Sequence, residues 1–274
     1  MKQLLFFDID GTLLDNDTHL VPQSALDALE TAKQKGHELY FCTGRSWGMR
    51  DELNYMGIDS AVICNGAGIV HHGDVLYVDS IDQDVALATL KKIDELGGGF
   101  QALTWKYGYQ NDKCHEGFTR VFKLRWPDTP VQETFDQKGM HYWHEYTGDP
   151  ILKIDYTFDT KEQTDAFLDS LDPSIEYIAM LSYLPGEKGF YGEMMHRGAN
   201  KGTGVRKVCE ILDIPIEQTV GFGDSLNDEP MLNACHTSVV MGNGMDELKA
   251  KADFITKATY EDGIAYAMKT LDII

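Results

Sequence analysis

The sequence predicts an α/β protein: a parallel sheet with helices on both faces, interrupted by an inserted α+β unit. Three observations carry this. Short apolar runs alternate with helix-period segments from the N-terminus to about Asp79. The rhythm then gives way to a stretch rich in aromatics, turns and mixed charge. It returns at Lys201 and continues to the C-terminus. The 274 residues suffice for about two domains of ordinary size.

The elements follow in order. Leu4 to Phe7 is a continuous apolar run, as in a strand buried on both faces. Pro22 to Lys35 carries Ala25, Leu26, Leu29 and Ala32 at helical spacing, and Gly36 is placed to stop the helix. Glu38 to Cys42 predicts a strand, Met49 to Met56 a helix ending at Gly57, and Ala61 to Cys64 a third strand. In the middle section Val85 to Leu96 and Thr160 to Leu171 read as helices, with strands at Ile151 to Phe158, Ile175 to Leu181 and Phe190 to Met195. Ile154, Tyr156 and Phe158 are spaced two apart, the pattern of a half-exposed strand. Beyond Lys201, Val205, Val208, Cys209 and Leu212 line a helix face. Strands are expected at Thr219 to Phe222, Ser238 to Met241 and Asp253 to Ile255, and helices around Pro230 to Ala234 and Gly263 to Leu271.

Composition narrows the function. There are 24 Lys+Arg against 44 Asp+Glu, a formal net charge of -20. Binding to nucleic acid or to anionic membranes rests on basic residues, so neither partner is expected. No apolar run approaches the ~20 residues of a membrane helix, and no secretory signal is visible. Five scattered cysteines without a C-x-x-C pair fit free thiols in a reducing compartment, so a cytoplasmic location is expected.

Four clusters sit where strands should end, the usual place for ligands in an open parallel sheet. Asp8-Ile9-Asp10-Gly11-Thr12 follows the first strand; residues two apart share a face, so Asp8 and Asp10 can enter one crevice. A plain Asp-Gly turn is the bland alternative. Gly223-Asp224-Ser225-Leu226-Asn227-Asp228 supplies hard oxygen ligands suited to Mg²⁺ rather than zinc, although Asn227 or Asp228 can equally cap the next helix. Thr43-Gly44-Arg45 offers a hydroxyl and backbone N–H groups. Lys201 opens a helix, where its charge opposes the helix dipole, so helix stability does not explain it; a solvated surface lysine is the default reading.

In this order the four clusters resemble the motifs of the haloacid dehalogenase (HAD) superfamily. With Asn65-Gly66-Ala67 they are similar to its Cof-type branch of phosphatases. No catalytic position of that pattern is substituted. The resemblance implies a Rossmann-like catalytic core over residues 1–80 and 188–274, with residues 81–187 as an inserted C2-type cap that selects the substrate. It implies Asp8 as nucleophile forming an aspartyl-phosphate, and Asp10 as general acid and base. Mg²⁺ would be held by Asp8, the Asp10 backbone carbonyl and Asp224, with Asp228 ordering the ion's surroundings. Thr43, Gly44, Lys201, Asn227 and the Ile9 N–H would bind phosphoryl oxygens.

The expected substrate is a small phosphorylated metabolite, with sugar phosphates favoured, bound by a monomer or homodimer. Arg45 and Asn65 are candidate substrate contacts. So are the aromatics Trp105, Tyr107, Tyr109, Trp126, Tyr142 and Trp143, with Lys106, Arg120, Lys123, Arg125, His141 and His144 among them, although most of these aromatics are expected to form the inserted unit's own core. A phosphomutase sharing the same intermediate and a non-catalytic sensor of a phosphorylated ligand are the alternatives. Having both Asp8 and Asp10 disfavours the sensor, and the Asp224–Asp228 pair disfavours dehalogenase chemistry.

Overall fold

The computed structural model describes residues 2–125, 130–131, 135–136, 138–181 and 189–274. Trp126 and the side chain of Arg125 lie outside what it describes. In chain order the strands are β1 Leu4–Phe7, β2 Glu38–Cys42, β3 Ala61–Ile63, β4 Gly68–His71, β5 Asp74–Val78, β6 Gly99–Leu103 and β7 Gly108–Gln110. They continue with β8 Met140–Tyr142, β9 Lys153–Phe158, β10 Ile175–Leu181, β11 Phe190–His196, β12 Thr219–Gly223, β13 Thr237–Val240 and β14 Phe254–Ile255.

Two compact units result. The first comprises Met1–Gly44, Asn54–Leu76 and Asn200–Ile274; the second comprises Arg45–Leu53 and Tyr77–Ala199. The division differs from the sequence-based boundary at residue 188 because β11 pairs along its length with β9 and β10 in the second unit's sheet. Arg45 also falls with the second unit, one residue beyond Gly44.

An eight-stranded sheet organises the first unit, in the order β14-β13-β12-β1-β2-β3-β4-β5. From β14 to β3 every pair is parallel. The β3–β4 pair is antiparallel, and β4 is a strand that the sequence reading did not include. Only Cys64 to Ala67 separate the two strands, far too few residues for a parallel crossover. β1 is central and fully buried, and Phe7 stacks on Phe222 of β12 at 4.5 Å between ring centroids.

The segment Trp47–Met56 is 3₁₀ rather than the α-helix its spacing suggested. Its first two N–H groups donate to the carbonyls of Trp105 and Lys106, at 2.9 and 2.8 Å, which ties the segment's start to another loop instead of an α-helical ladder. The short strands β4 to β8 were not among the strands expected from the sequence.

The second unit is a six-stranded sheet, β10-β11-β9-β6-β7-β8. One face holds Phe100, Ala102, Ile154, Tyr156, Phe158 and Met194 in an apolar cluster with helix residues Ala86, Leu90, Ile93 and Phe167. The opposite face of β9 is not exposed, contrary to expectation: Lys153 and Asp155 are both buried. Burial is tolerable there because the Lys153 ammonium lies 3.0 Å from Asp155 and 2.7 Å from Glu193, a cation held between two carboxylates. Gln101 and Gln110 extend this polar row by register, Gln101 opposite both Asp155 and Gln110. The side-chain nitrogen of Gln101 and both amide atoms of Gln110 are buried without a hydrogen-bond partner.

Burial pushes Asp155 up to about 7, with Lys153 offsetting part of that rise and Glu193 adding to it. An unfolded aspartate titrates near ~4, so between about pH 4 and 7 the folded chain keeps a proton that the unfolded chain has released. Stability from this group is therefore complete at low pH and falls as pH rises, by up to about 1.4 kcal/mol per unit. Urea unfolding at pH 5 and 7.5 will show a lower midpoint at the higher pH, and Asp155→Asn will make that difference smaller.

Candidate active site

From β14 to β3 the first unit's strands run parallel, so their carboxyl ends lie together, and the chain crosses that rim at β1, β2, β3 and β12. At the end of β1 the Asp8 N–H donates to the Phe222 carbonyl at 2.9 Å, which carries the strand pairing one residue further. The chain then folds tightly on itself: the Ile9 carbonyl accepts from the N–H groups of Thr12, Leu13 and Leu14. Gly11 permits the fold. Its φ is +86°, and a Cβ there would stand 2.4 Å from an Asp224 carboxylate oxygen. Asp8 is buried and Asp10 is exposed.

Lys201 occupies the centre. Its side chain is 1% exposed, and Nζ lies 2.5 Å from Asp8 Oδ1 and 2.6 Å from Asp228 Oδ1. The helix Lys201–Leu212 begins at this point because Asn200 caps it: Asn200 Oδ1 accepts from the Thr203 N–H at 3.0 Å, and Thr203 Oγ1 from the Asn200 N–H at 2.9 Å. Gly202 lets the first turn approach the next loop, since a Cβ there would meet the Pro230 carbonyl oxygen at 2.1 Å. Lys201 is thus a buried ion-pair partner and not a solvated surface lysine. Burial alone would lower its pKa, but Asp228 and Asp8 outweigh that and hold the ammonium well above the usual lysine range.

After β12, Asp228 does not cap the helix Glu229–Ala234. Its Oδ2 accepts from the N–H groups of Asp224 and Ser225, both at 3.0 Å, while Oδ1 takes Lys201. Both oxygens are committed to shaping the loop. Asp224 Oδ1 accepts from the Thr12 hydroxyl at 3.0 Å, so β1's loop and β12's loop are joined by a direct bond. Asn227 is half-buried and accepts from Ser225 Oγ at 2.6 Å. Carboxylate atoms of Asp8, Asp224 and Asp228 all lie within 4.8 Å of one another. Their proximity has a cost in ionisation: burial, then Asp228, push Asp224 up to about 7, and the same two causes raise Asp8 well above the carboxylate range despite Lys201.

Thr43 is buried at the end of β2, its N–H bonded to the Val62 carbonyl at 2.9 Å. Its own carbonyl accepts from the Asn65 N–H at 3.0 Å, which fastens Asn65, in a left-handed conformation, beside it. The first unit therefore brings together Asp8, Lys201, Asp224 and Asp228 by direct contact, and joins Thr43 to Asn65 at neighbouring strand ends. Arg45 belongs to the second unit and is half-buried.

In that unit Trp143 stacks on Tyr146 at 4.6 Å, Tyr109 meets Tyr146 edge-on, and Tyr142 bonds His115 at 2.8 Å. Much of the aromatic set thus packs on itself. Three residues at the rim had no role in the sequence reading: Thr12, Asn243 and Thr259. The last two bond the Gly11 carbonyl at 2.8 and 2.6 Å and brace the β1 loop from beyond β13 and β14. Their only sequence signal is a position just past predicted strands.

Residues 5–268 match the family of haloacid dehalogenase-like hydrolases. The chain belongs to that family. YkrA of Bacillus subtilis (strain 168) is 31% identical over 279 residues, covering 100% of this chain and 99% of its own. The phosphatase YwpJ of the same organism is 26% identical, covering 98% of this chain and 99% of its own. Among solved structures, the HAD subclass IIB sugar phosphatase BT4131 superposes with a TM-score of 0.77 at 27% identity, covering 100% of each chain. This HAD-like chain is accordingly an enzyme, a phosphoric monoester hydrolase of Cof type, with the α/β fold of its relatives. No helix among its described residues is long and apolar enough to cross a membrane.

Lys201→Met leaves two buried carboxylates facing each other without their cation. Unfolding in EDTA will show a loss of about 3–5 kcal/mol relative to the parent, the scale for breaking a buried pair. Equal midpoints would mean that the ammonium does not hold the site together.

Proposed function

We propose that this HAD-like enzyme hydrolyses small phosphorylated metabolites, sugar phosphates foremost, through a Mg²⁺-dependent aspartyl-phosphate route. The observation that carries the reading is the contact set of Asp8, Lys201, Asp224 and Asp228 at adjoining strand ends. The donor set fits Mg²⁺: only hard carboxylate oxygens converge, and three carboxylates face a single ammonium. Asp8, Asp224 and the Asp10 backbone carbonyl would hold the ion, while Asp228, with both oxygens engaged, fixes the loop and Lys201. A bound Mg²⁺ supplies the positive charge that lets an anionic carboxylate meet an anionic phosphoryl group.

Asp8 attacks phosphorus through its carboxylate oxygen, and the ester oxygen leaves with a proton from Asp10. Asp10, exposed and next along the loop's face, then takes a proton from the water that cleaves the acyl-phosphate and regenerates Asp8. Lys201, by its bond to Asp8, keeps that carboxylate oriented. With Thr43, Gly44, Asn227 and the Ile9 N–H it offers donors to the phosphoryl oxygens as charge spreads over them.

Selection of the organic part falls to the second unit as the cap, with Arg45, and with Asn65 on the first unit. The buried amides of Gln101 and Gln110 suit hydroxyl groups, which both donate and accept. This agrees with the sugar phosphatase named among the structural relatives. The five free, buried cysteines support a cytoplasmic setting.

Phosphate release from hexose and pentose phosphates, pyridoxal phosphate, flavin mononucleotide and nucleotides, with Mg²⁺ and with EDTA, tests the reading. Release will require Mg²⁺, and hexose or pentose phosphates will lead the panel. Asp8→Asn will lower turnover by roughly three orders of magnitude or more while leaving the thermal midpoint within a few degrees. Turnover persisting in EDTA or in Asp8→Asn would overturn the mechanism.

A further inference from the structure

At the other end of the first unit's sheet, the amino-terminal end of β2, a second cluster stands apart from the phosphoryl site. Glu38 opens β2, and His71 and His72 close β4 and enter the turn to β5. One donor atom from each of the three lies within 4.8 Å of the others. Consecutive residues in an extended strand point to opposite faces. Here they do not, because His72 is left-handed (φ +48°) and Gly73 follows at +84°, the two-residue turn of a tight hairpin. The rings of His71 and His72 are consequently only 4.1 Å apart, centroid to centroid.

Each imidazole is held from behind. His71 Nδ1 is 2.6 Å from the Tyr40 hydroxyl, and His72 Nδ1 is 3.0 and 3.1 Å from the two oxygens of Asp59. Such partners fix ring orientation and leave Nε2 as the atom that meets a cation, the arrangement found around histidine ligands of metals. His72 Nε2 already lies 3.5 Å from Glu38 Oε2, while the other oxygen of Glu38 pairs with Lys2 at 2.8 Å. A cleft of about 260 Å³ adjoins, shared by Glu38, Asp59 and His72 and bordered by Lys33 and His37.

We propose that Glu38, His71 and His72 form a second metal site, which takes a borderline divalent ion of the Zn²⁺ class. Two imidazoles and one carboxylate suit such an ion, whereas Mg²⁺ and Ca²⁺ prefer all-oxygen sets. The donor chemistry therefore sorts the two ions between the two ends of the sheet: oxygen only at the phosphoryl site, nitrogen and oxygen here. The five residues of β2 place Glu38 about 15 Å from Thr43 at the far end, so the ion takes no part in the phosphoryl step. Its effect is to tie the β4–β5 turn to the first strand of the sheet's outer half, stabilising the folded chain by mass action.

The test uses the full chain with Zn²⁺ alone as the added ion, in millimolar Mg²⁺ so that the carboxylate site is occupied. Isothermal titration is read beside the imidazole ¹H–¹⁵N spectrum. The expected result is one equivalent of Zn²⁺ bound, displaced ring resonances for two histidines, and a raised thermal midpoint. His72 has a half-exposed side chain, so His72→Asn keeps the fold and tolerates the left-handed backbone. It will weaken Zn²⁺ binding at least tenfold and leave Mg²⁺-dependent phosphate release unchanged; Glu38→Gln will weaken binding in the same direction. Unmoved imidazole resonances, or Zn²⁺ bound equally by His72→Asn and the parent, would overturn the proposal. Neither readout depends on phosphatase turnover, so the fate of the active-site reading is judged separately.

Discussion

A lysine ammonium with almost no exposure, bonded to two carboxylates from two different loops, is the constraint on which the rest of the first unit depends. Lys201 reaches Asp8 and Asp228 only if β1 and β12 are neighbours in register and the helix Lys201–Leu212 starts beside both. Each condition has its own local cause. Parallel pairing of β1 with β12, Phe7 opposite Phe222, brings the ends of the two strands together, with Asp8 one residue and Asp224 two residues beyond that pair. Asn200 fixes the helix start, and Gly202 allows the close approach to Pro230. An ammonium at a helix N-terminus works against the helix dipole. The fold tolerates that conflict because the buried ammonium has two carboxylate partners, without which it and they would be left as unpaired buried charges.

What the sequence made legible follows from which signals are local. The apolar runs at Leu4–Phe7 and Thr219–Phe222 and the helical spacing of Ala25, Leu29 and Ala32 are properties of a few consecutive residues, so they located the central elements. Asp8, Asp224 and Asp228 stood out because carboxylates just after apolar strands need a reason, and Lys201 because an ammonium opening a helix opposes the helix dipole. The antiparallel edge was less visible, since it depends on the length of the Cys64–Ala67 connection rather than on any residue's preference. Thr12, Asn243 and Thr259 were invisible as a group, because their common target is a backbone carbonyl, that of Gly11, or a carboxylate more than two hundred positions away.

The second unit shows the same limit from another side. Period-two spacing at Ile154, Tyr156 and Phe158 reveals that β9 has two different faces, and nothing more. Whether the polar face meets water or protein depends on what packs there. Lys153, Asp155 and Glu193 can be buried because their charges answer one another across the paired strands β9 and β11, and that answer is written in sheet register rather than in sequence. The aromatics drew attention as recognition groups, yet Trp143 and Tyr109 both pack on Tyr146. The unused hydrogen-bonding capacity of that sheet lies instead in Gln101 and Gln110, two residues that composition and periodicity pass over.

Both buried charge clusters obey one rule. In the second unit two carboxylates enclose one lysine, and Asp155 relieves the remaining excess by titrating near neutrality. In the first unit three carboxylates cluster with one lysine that bonds two of them, and Asp8 and Asp224 are both pushed upward. A stable interior would be better served by replacing one of these acids with an apolar side chain. Keeping all three leaves the folded protein short of positive charge at the spot where a cation and a phosphoryl group have to be brought together. Folding alone leaves such a site unbalanced, which supports the proposed role of a divalent ion there. The same imbalance explains why its loops are braced so heavily by Thr12, Ser225, Asn243 and Thr259: without those hydrogen bonds, like charges held this close would relax apart.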